Sequence, residues 1–234
     1  MTDRHSLAPI LLERPGFAMP QRANHPLLRP VLARLHQTVE SQLGVACELH
    51  LAERDLLRAV LVRQPIPQVD LRAEGVPLGE TGAQIATLSV RLANVALRGP
   101  RRRPEITADA GSFVATFLDD AIDGLVDLPP VVERAWLLSD GVRVNMVAGM
   151  AVTCDLQLEN GQAVLRPRLS ELLDGRLPWH RFGRDVPDLP FGAQLETLEV
   201  DGGQVVTTGS LSAEHLRWPV GTPRSSRATS GASN

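Results

Sequence analysis

Arg98, Arg101, Arg102 and Arg103 crowd the stretch Leu97-Arg98-Gly99-Pro100-Arg101-Arg102-Arg103-Pro104. Guanidinium groups pair with phosphate oxygens through two parallel hydrogen bonds, so a cluster of this density suits an anionic headgroup. A solvated basic loop is the plainer account of the same residues. Other reactive side chains fail at the level of spacing. Cys47-Glu48-Leu49-His50 has half the spacing of a zinc site, but no second pair completes it, and alternation would point Cys47 and His50 to opposite faces of a strand. Asp119-Asp120-Ala121-Ile122-Asp123-Gly124 begins like a calcium loop. Ala121 then stands where an oxygen ligand is needed, and Pro130 where the closing glutamate belongs. No Gly-x-Ser-x-Gly, His-Glu-x-x-His or phosphate-cradling glycine loop occurs. The six histidines are scattered, with no Ser or Cys partner at motif spacing. The residues therefore predict no catalytic centre, no metal site and no cofactor.

Composition removes further classes. All 24 basic residues are arginine, so Schiff-base and P-loop lysine chemistry is absent. A formal net charge of −3 and 3% aromatic residues, with no tyrosine, argue against a nucleic-acid partner. Hydrophobic residues make up 43% of the 234, enough for a substantial buried core. Cys47 and Cys154 each fall on the apolar side of an alternating pattern and read as small core residues. The apolar run Leu7 to Leu12 is interrupted by Pro9 and ended by Glu13-Arg14-Pro15, too short for a secretory signal. No stretch approaches the roughly 18 apolar residues of a membrane span. The expectation is a soluble, cytoplasmic chain.

The elements that would position these residues follow from periodicity. Residues 1–23 read as a loosely held arm, 24–218 as one domain and 219–234 as a disordered tail. Leu28, Val31, Leu32, Leu35, Val39 and Leu43 recur at helical spacing, with Pro30 in the first turn and Gly44 as the stop, predicting a helix near 27–43. Strands are expected near 45–51, 58–63, 68–74 and 85–98, with a phase slip at Ala93-Asn94 that suggests a bulge. Ile106, Ala110, Phe113, Val114, Phe117, Leu118, Ala121, Ile122 and Leu125 form an apolar stripe that predicts a second amphipathic helix near 106–126. Strands at 132–138, 142–148, 150–158 and 162–168 follow, joined by Ser139-Asp140-Gly141 and by the hairpin signal Asn160-Gly161. A short segment at 169–175 and a proline-rich link at 178–190 precede the last hairpin. That hairpin runs from Leu189-Pro190-Phe191-Gly192 through a strand, Asp201-Gly202-Gly203, and a second strand to Gly209.

The sum is an α+β domain, a long curved antiparallel sheet wrapped on two amphipathic helices. Its interior is aliphatic. Leu88, Val90, Phe113, Phe117, Val144, Met146, Val152 and Leu156 are the expected inner residues. They make either a solid core or a cavity with room for acyl chains, and periodicity does not separate the two.

The Leu189 to Gly209 pattern resembles the C-terminal signature of the LmeA-like phospholipid-binding family. Weaker likeness lies in Leu88-Ser89-Val90-Arg91-Leu92-Ala93-Asn94-Val95, in Phe113 to Leu125 and in the Asp140-Gly141 strand pair, over roughly residues 45–211. The resemblance implies a tubular lipid-binding-like domain, a phospholipid or other acyl lipid as partner, peripheral contact with a membrane, and no catalytic residues. It also implies a cell-envelope setting, for which this N-terminus supplies neither a signal nor an anchor. On this reading the eight inner residues hold acyl chains and the arginines of 98–103 meet the headgroup. An interaction or scaffold module with a closed core is the alternative.

Overall fold

The computed structural model describes residue 26 and residues 28–78, 84–98, 105–118, 122–126, 128, 130–147, 149–168, 182–185, 189–214 and 216–219. The expected segments 1–23 and 169–175 lie outside the described residues, as do the Asp119-Asp120 pair and the arginines of 101–103; of the expected tail 219–234 only Pro219 is described, and it ends a strand rather than opening a disordered segment.

Helix α1, Arg29–Leu43, forms where the apolar spacing demands it. Pro30 sits in its first turn, and Leu35, Val39 and Leu43 face inward. Gly44 ends it in the left-handed region at φ 73°, its N–H donating to the Glu40 carbonyl at 2.8 Å. The chain then turns back as strand β1, Cys47–His50, and enters helix α2, Glu53–Leu61.

Helix α2 corrects the expected strand at 58–63. Val60, Leu61 and Val62 favour a strand locally, yet Leu56 and Ala59, three apart, bury together on one helical face, and Glu53 and Asp55 stabilise the first turn. The tertiary contact of α2 with β2 outweighs the β-branched preference.

Strands β2 (Ile66–Pro77) and β3 (Gln84–Arg98) are long and antiparallel. The phase slip falls where it was expected. Leu92 and Val95 are both buried although three apart. No residue is inserted, however, since Gln68 pairs with Ala93 and Ile66 with Val95. The flip is made by Asn94, left-handed at φ 51°, a conformation asparagine tolerates better than most residues. Beyond it β3 leaves one neighbour for another.

The second correction is larger. The segment 106–126 is two strands and one turn of helix: β4 (Glu105–Thr107), β5 (Ala110–Phe117) and α3 (Ile122–Leu125). Phe113 and Phe117 fit a helical stripe, but Phe113, Ala115 and Phe117 also fit alternation, and all three are buried. Gly111 in the middle disfavours a helix, and Val114 and Thr116 favour a strand. β5 pairs with both β3 and β12 (Gln204–Leu211), so it is an interior strand of the sheet.

The first sheet runs β1-β2-β3-β5-β12-β11, with β11 spanning Ala193–Asp201. At its side β4 pairs with β3 and with β13 (Arg217–Pro219). The second sheet runs β10-β9-β8-β7-β6: Phe182–Asp185, Gln162–Pro167, Ala151–Glu159, Val142–Met146 and Val132–Leu137. The hairpin β8–β9 turns at Asn160 (φ 52°) and Gly161 (φ 79°), as the Asn-Gly signal requires. All pairs are antiparallel and both sheets are open. β8 lies against β11, and one apolar cluster serves both sheets. Among the described residues the architecture is thus mostly antiparallel sheet carrying two helices of more than one turn, α1 and α2. Among the described residues no helix is long and apolar enough to cross a membrane.

Candidate functional site

The inner face of the first sheet is built by alternation. Ile85, Leu88, Val90 and Leu92 of β3, Phe113, Ala115 and Phe117 of β5, and Val205 and Leu211 of β12 all point inward and are buried. Register places Val90, Phe113 and Gly209 in one row across three strands. The row works because its third member has no side chain. A Cβ on Gly209 would stand 2.5 Å from Phe113 Cε1 and 2.1 Å from the Gln194 carbonyl oxygen. The Phe113 ring therefore lies across β12, over a glycine.

The Leu189–Gly192 turn closes this face. Leu189 is buried, Phe191 adopts φ 63°, ψ 18°, and Gly192 follows at φ 61°. A positive φ costs an aromatic residue about 1–3 kcal/mol, which neighbouring contacts must offset. Phe191 meets Trp218 of β13 with ring centroids 5.2 Å apart at 56°. Beneath the turn remains a void of about 10 Å³, bordered by Ile85, Leu88, Val90, Phe113, Leu211 and the turn itself. That is room for no more than about one water.

Of the eight expected inner residues, Leu88, Val90 and Phe113 meet at this void, and Phe117 continues the same face. Phe113 and Phe117 reach it from a strand, not from a helix. Val144, Met146, Val152 and Leu156 lie elsewhere, in the second sheet, where Val144 pairs directly with Val152 and Leu156 with Leu165. They are buried too, but do not border the void. Arg98 is the exposed last residue of β3, opposite Glu105.

The outward face of the first sheet carries a groove of about 720 Å³ that sequence reasoning missed. Its signal was the polar half of the alternation. His50, Asp70, Arg91 and Ser112 form one row across β1, β2, β3 and β5. Arg91 Nε donates to Asp70 Oδ1 at 2.9 Å, and Gln68 Nε2 to Asp70 Oδ2 at 2.7 Å. Glu48, Asp55, Arg72 and Ser89 complete the polar lining. His50 and Ser112 stand three strand spacings apart, about 14 Å, so they cannot share a proton. The row can hold polar or charged groups of a ligand; its geometry supplies no nucleophile–base pair.

Cys47 and Cys154 are both buried, as alternation implied, and neither is in a disulfide. At the second sheet's rim, Arg168 holds the 139–141 turn, donating from Nε to Asp155 at 2.9 Å and from Nη1 and Nη2 to the Asp140 side chain and carbonyl at 3.0 and 2.6 Å. These hydrogen bonds to the two aspartates raise its pKa. The contact is structural.

No family model, no curated protein and no solved structure matches the chain.

Proposed function

We propose that the protein binds an acyl lipid without chemical turnover, the chain entering between the inner face of β3, β5 and β12 and the Leu189–Gly192 turn. The observation that carries this reading is a void bordered by hydrocarbon side chains and closed by a turn that holds Phe191 in a costly conformation. Strain of that kind concentrates at ligand clamps and switch segments. Lifting the turn relieves it and opens an apolar wall of Ile85, Leu88, Val90, Phe113 and Leu211. Each CH₂ moved from water onto such a wall contributes about 0.8 kcal/mol, so a long chain binds without polar anchoring. The likeness of Leu189 to Gly209 to the LmeA-like signature supports the same ligand class and a tubular lipid-binding-like assignment. That signature supplies both the closing turn and the glycine under Phe113.

The small size of the void favours a second reading, an interaction module whose core stays shut. Vesicle uptake separates the two. Incubation with phospholipid vesicles, re-isolation and extraction should recover about one phospholipid per chain. Protein that emerges free of lipid supports the closed core.

The arginines give a further expected outcome. Replacing Arg98, Arg101, Arg102 and Arg103 with Ser weakens binding to anionic vesicles, most at low salt, by about 1 kcal/mol per residue near the surface. Sedimentation with vesicles across a salt series reads this; identical binding of both proteins at every salt removes the arginines from membrane contact.

A further inference from the structure

We propose that His36, Glu40 and Cys47 form a binding site for a thiophilic divalent cation of the zinc class, with a fourth position left open. His36 and Glu40 are one turn apart on α1, and Gly44 folds the chain back so that Cys47, first residue of β1, arrives beneath them. The imidazole nitrogen, carboxylate oxygen and sulfur all lie within 4.8 Å of one another. His36 Nδ1 and Glu40 Oε1 are 3.5 Å apart. Two ligands each 2.0–2.1 Å from a tetrahedral ion stand about 3.4 Å apart, so the pair is already at ligand spacing.

Hydrogen bonding sharpens the case. His36 Nε2 lies 2.5 Å from the Cys47 carbonyl oxygen. A carbonyl only accepts, so Nε2 carries a proton and donates it. Metal-bound histidines commonly present this arrangement, one nitrogen on the metal and the other donating to a backbone carbonyl. In the neutral ring Nδ1 then presents a lone pair to the Glu40 carboxylate 3.5 Å away, an arrangement that either a proton on Nδ1 or a cation between the two groups satisfies. Zinc accepts nitrogen, sulfur and oxygen in this combination, whereas calcium and magnesium avoid thiolate. The sequence hid the site because Cys47 belongs with His36 across the α1–β1 turn, while His50, its neighbour in the strand, faces the groove.

Cobalt(II) is the probe. Chelator-treated full-length protein titrated with cobalt should develop a sulfur-to-cobalt charge-transfer band and tetrahedral d–d bands that saturate at one equivalent. Cys47→Ser should abolish the charge-transfer band. His36→Gln and Glu40→Gln, both at half-exposed positions, should keep the wild-type circular dichroism and weaken cobalt binding at least about tenfold. His50→Gln should leave the titration unchanged. A folded wild-type protein with no thiolate band at saturating cobalt overturns the site and leaves an ordinary imidazolium–carboxylate pair. A band that survives Cys47→Ser, or His36→Gln binding cobalt as wild type does, overturns it equally.

Discussion

Gly209→Ala should destabilise the protein by about 3 kcal/mol or more, toward the upper end of what overpacking causes. The added methyl would meet the Gln194 carbonyl oxygen at 2.1 Å and the Phe113 ring at 2.5 Å. Neither can give way cheaply. The carbonyl belongs to the β11–β12 ladder, where Gln194 pairs with Ser210, and the ring is buried between β3 and β12. Gly209 has no positive φ, so the penalty is steric, not conformational. Trimming the ring tests that attribution: Phe113→Leu in the Gly209→Ala background should recover part of the loss. Chemical denaturation of the single and double variants reads both effects. An alanine variant within about 0.5 kcal/mol of wild type would mean that the strands do not approach here.

The second prediction concerns Leu88 and Val152 as a pair. Leu88→Trp fills the void beneath the Leu189–Gly192 turn and should abolish co-purifying lipid. Val152→Trp should keep lipid, because Val152 packs against Val144 in the second sheet. Overpacking costs each variant roughly 1–3 kcal/mol, so thermal stability alone does not distinguish them and lipid content does. Val152 was an expected cavity residue on alternation alone; its strand lies in the other sheet, and no local pattern carries sheet membership. Equal lipid content in the two variants would dissociate the ligand from the β3–β5–β12 wall.

What could be read from the sequence was local. Asn160-Gly161 and Asp201-Gly202-Gly203 fixed two hairpins, because their turns need residues that tolerate positive φ. Helix α1 followed from a stripe bounded by Pro30 and Gly44. The phase slip at Asn94 was visible because a strand cannot bury two residues three apart without a twist. Segment 106–117 was misread because Ile106, Ala110, Phe113 and Phe117 satisfy the helical period while Phe113, Ala115 and Phe117 satisfy the strand period. Partners β3 and β12, distant in sequence, decide between them. α2 failed in the opposite sense, since Val60 and Val62 carry a strand preference that packing of Leu56 and Ala59 overrides. Sites suffered the same way. Leu88, Val90 and Phe113 were found as inner residues, while the His50–Arg91 row and the His36–Glu40–Cys47 cluster are products of strand order and helix docking.

The most direct test of lipid binding is organic extraction of the purified wild-type protein, with mass spectrometry of the extract and quantification against protein. An acyl lipid near one equivalent per chain, absent from Leu88→Trp, is the expected result. A wild-type protein that carries no lipid, and acquires none from vesicles, would contradict lipid binding and leave the closed-core interaction module in its place.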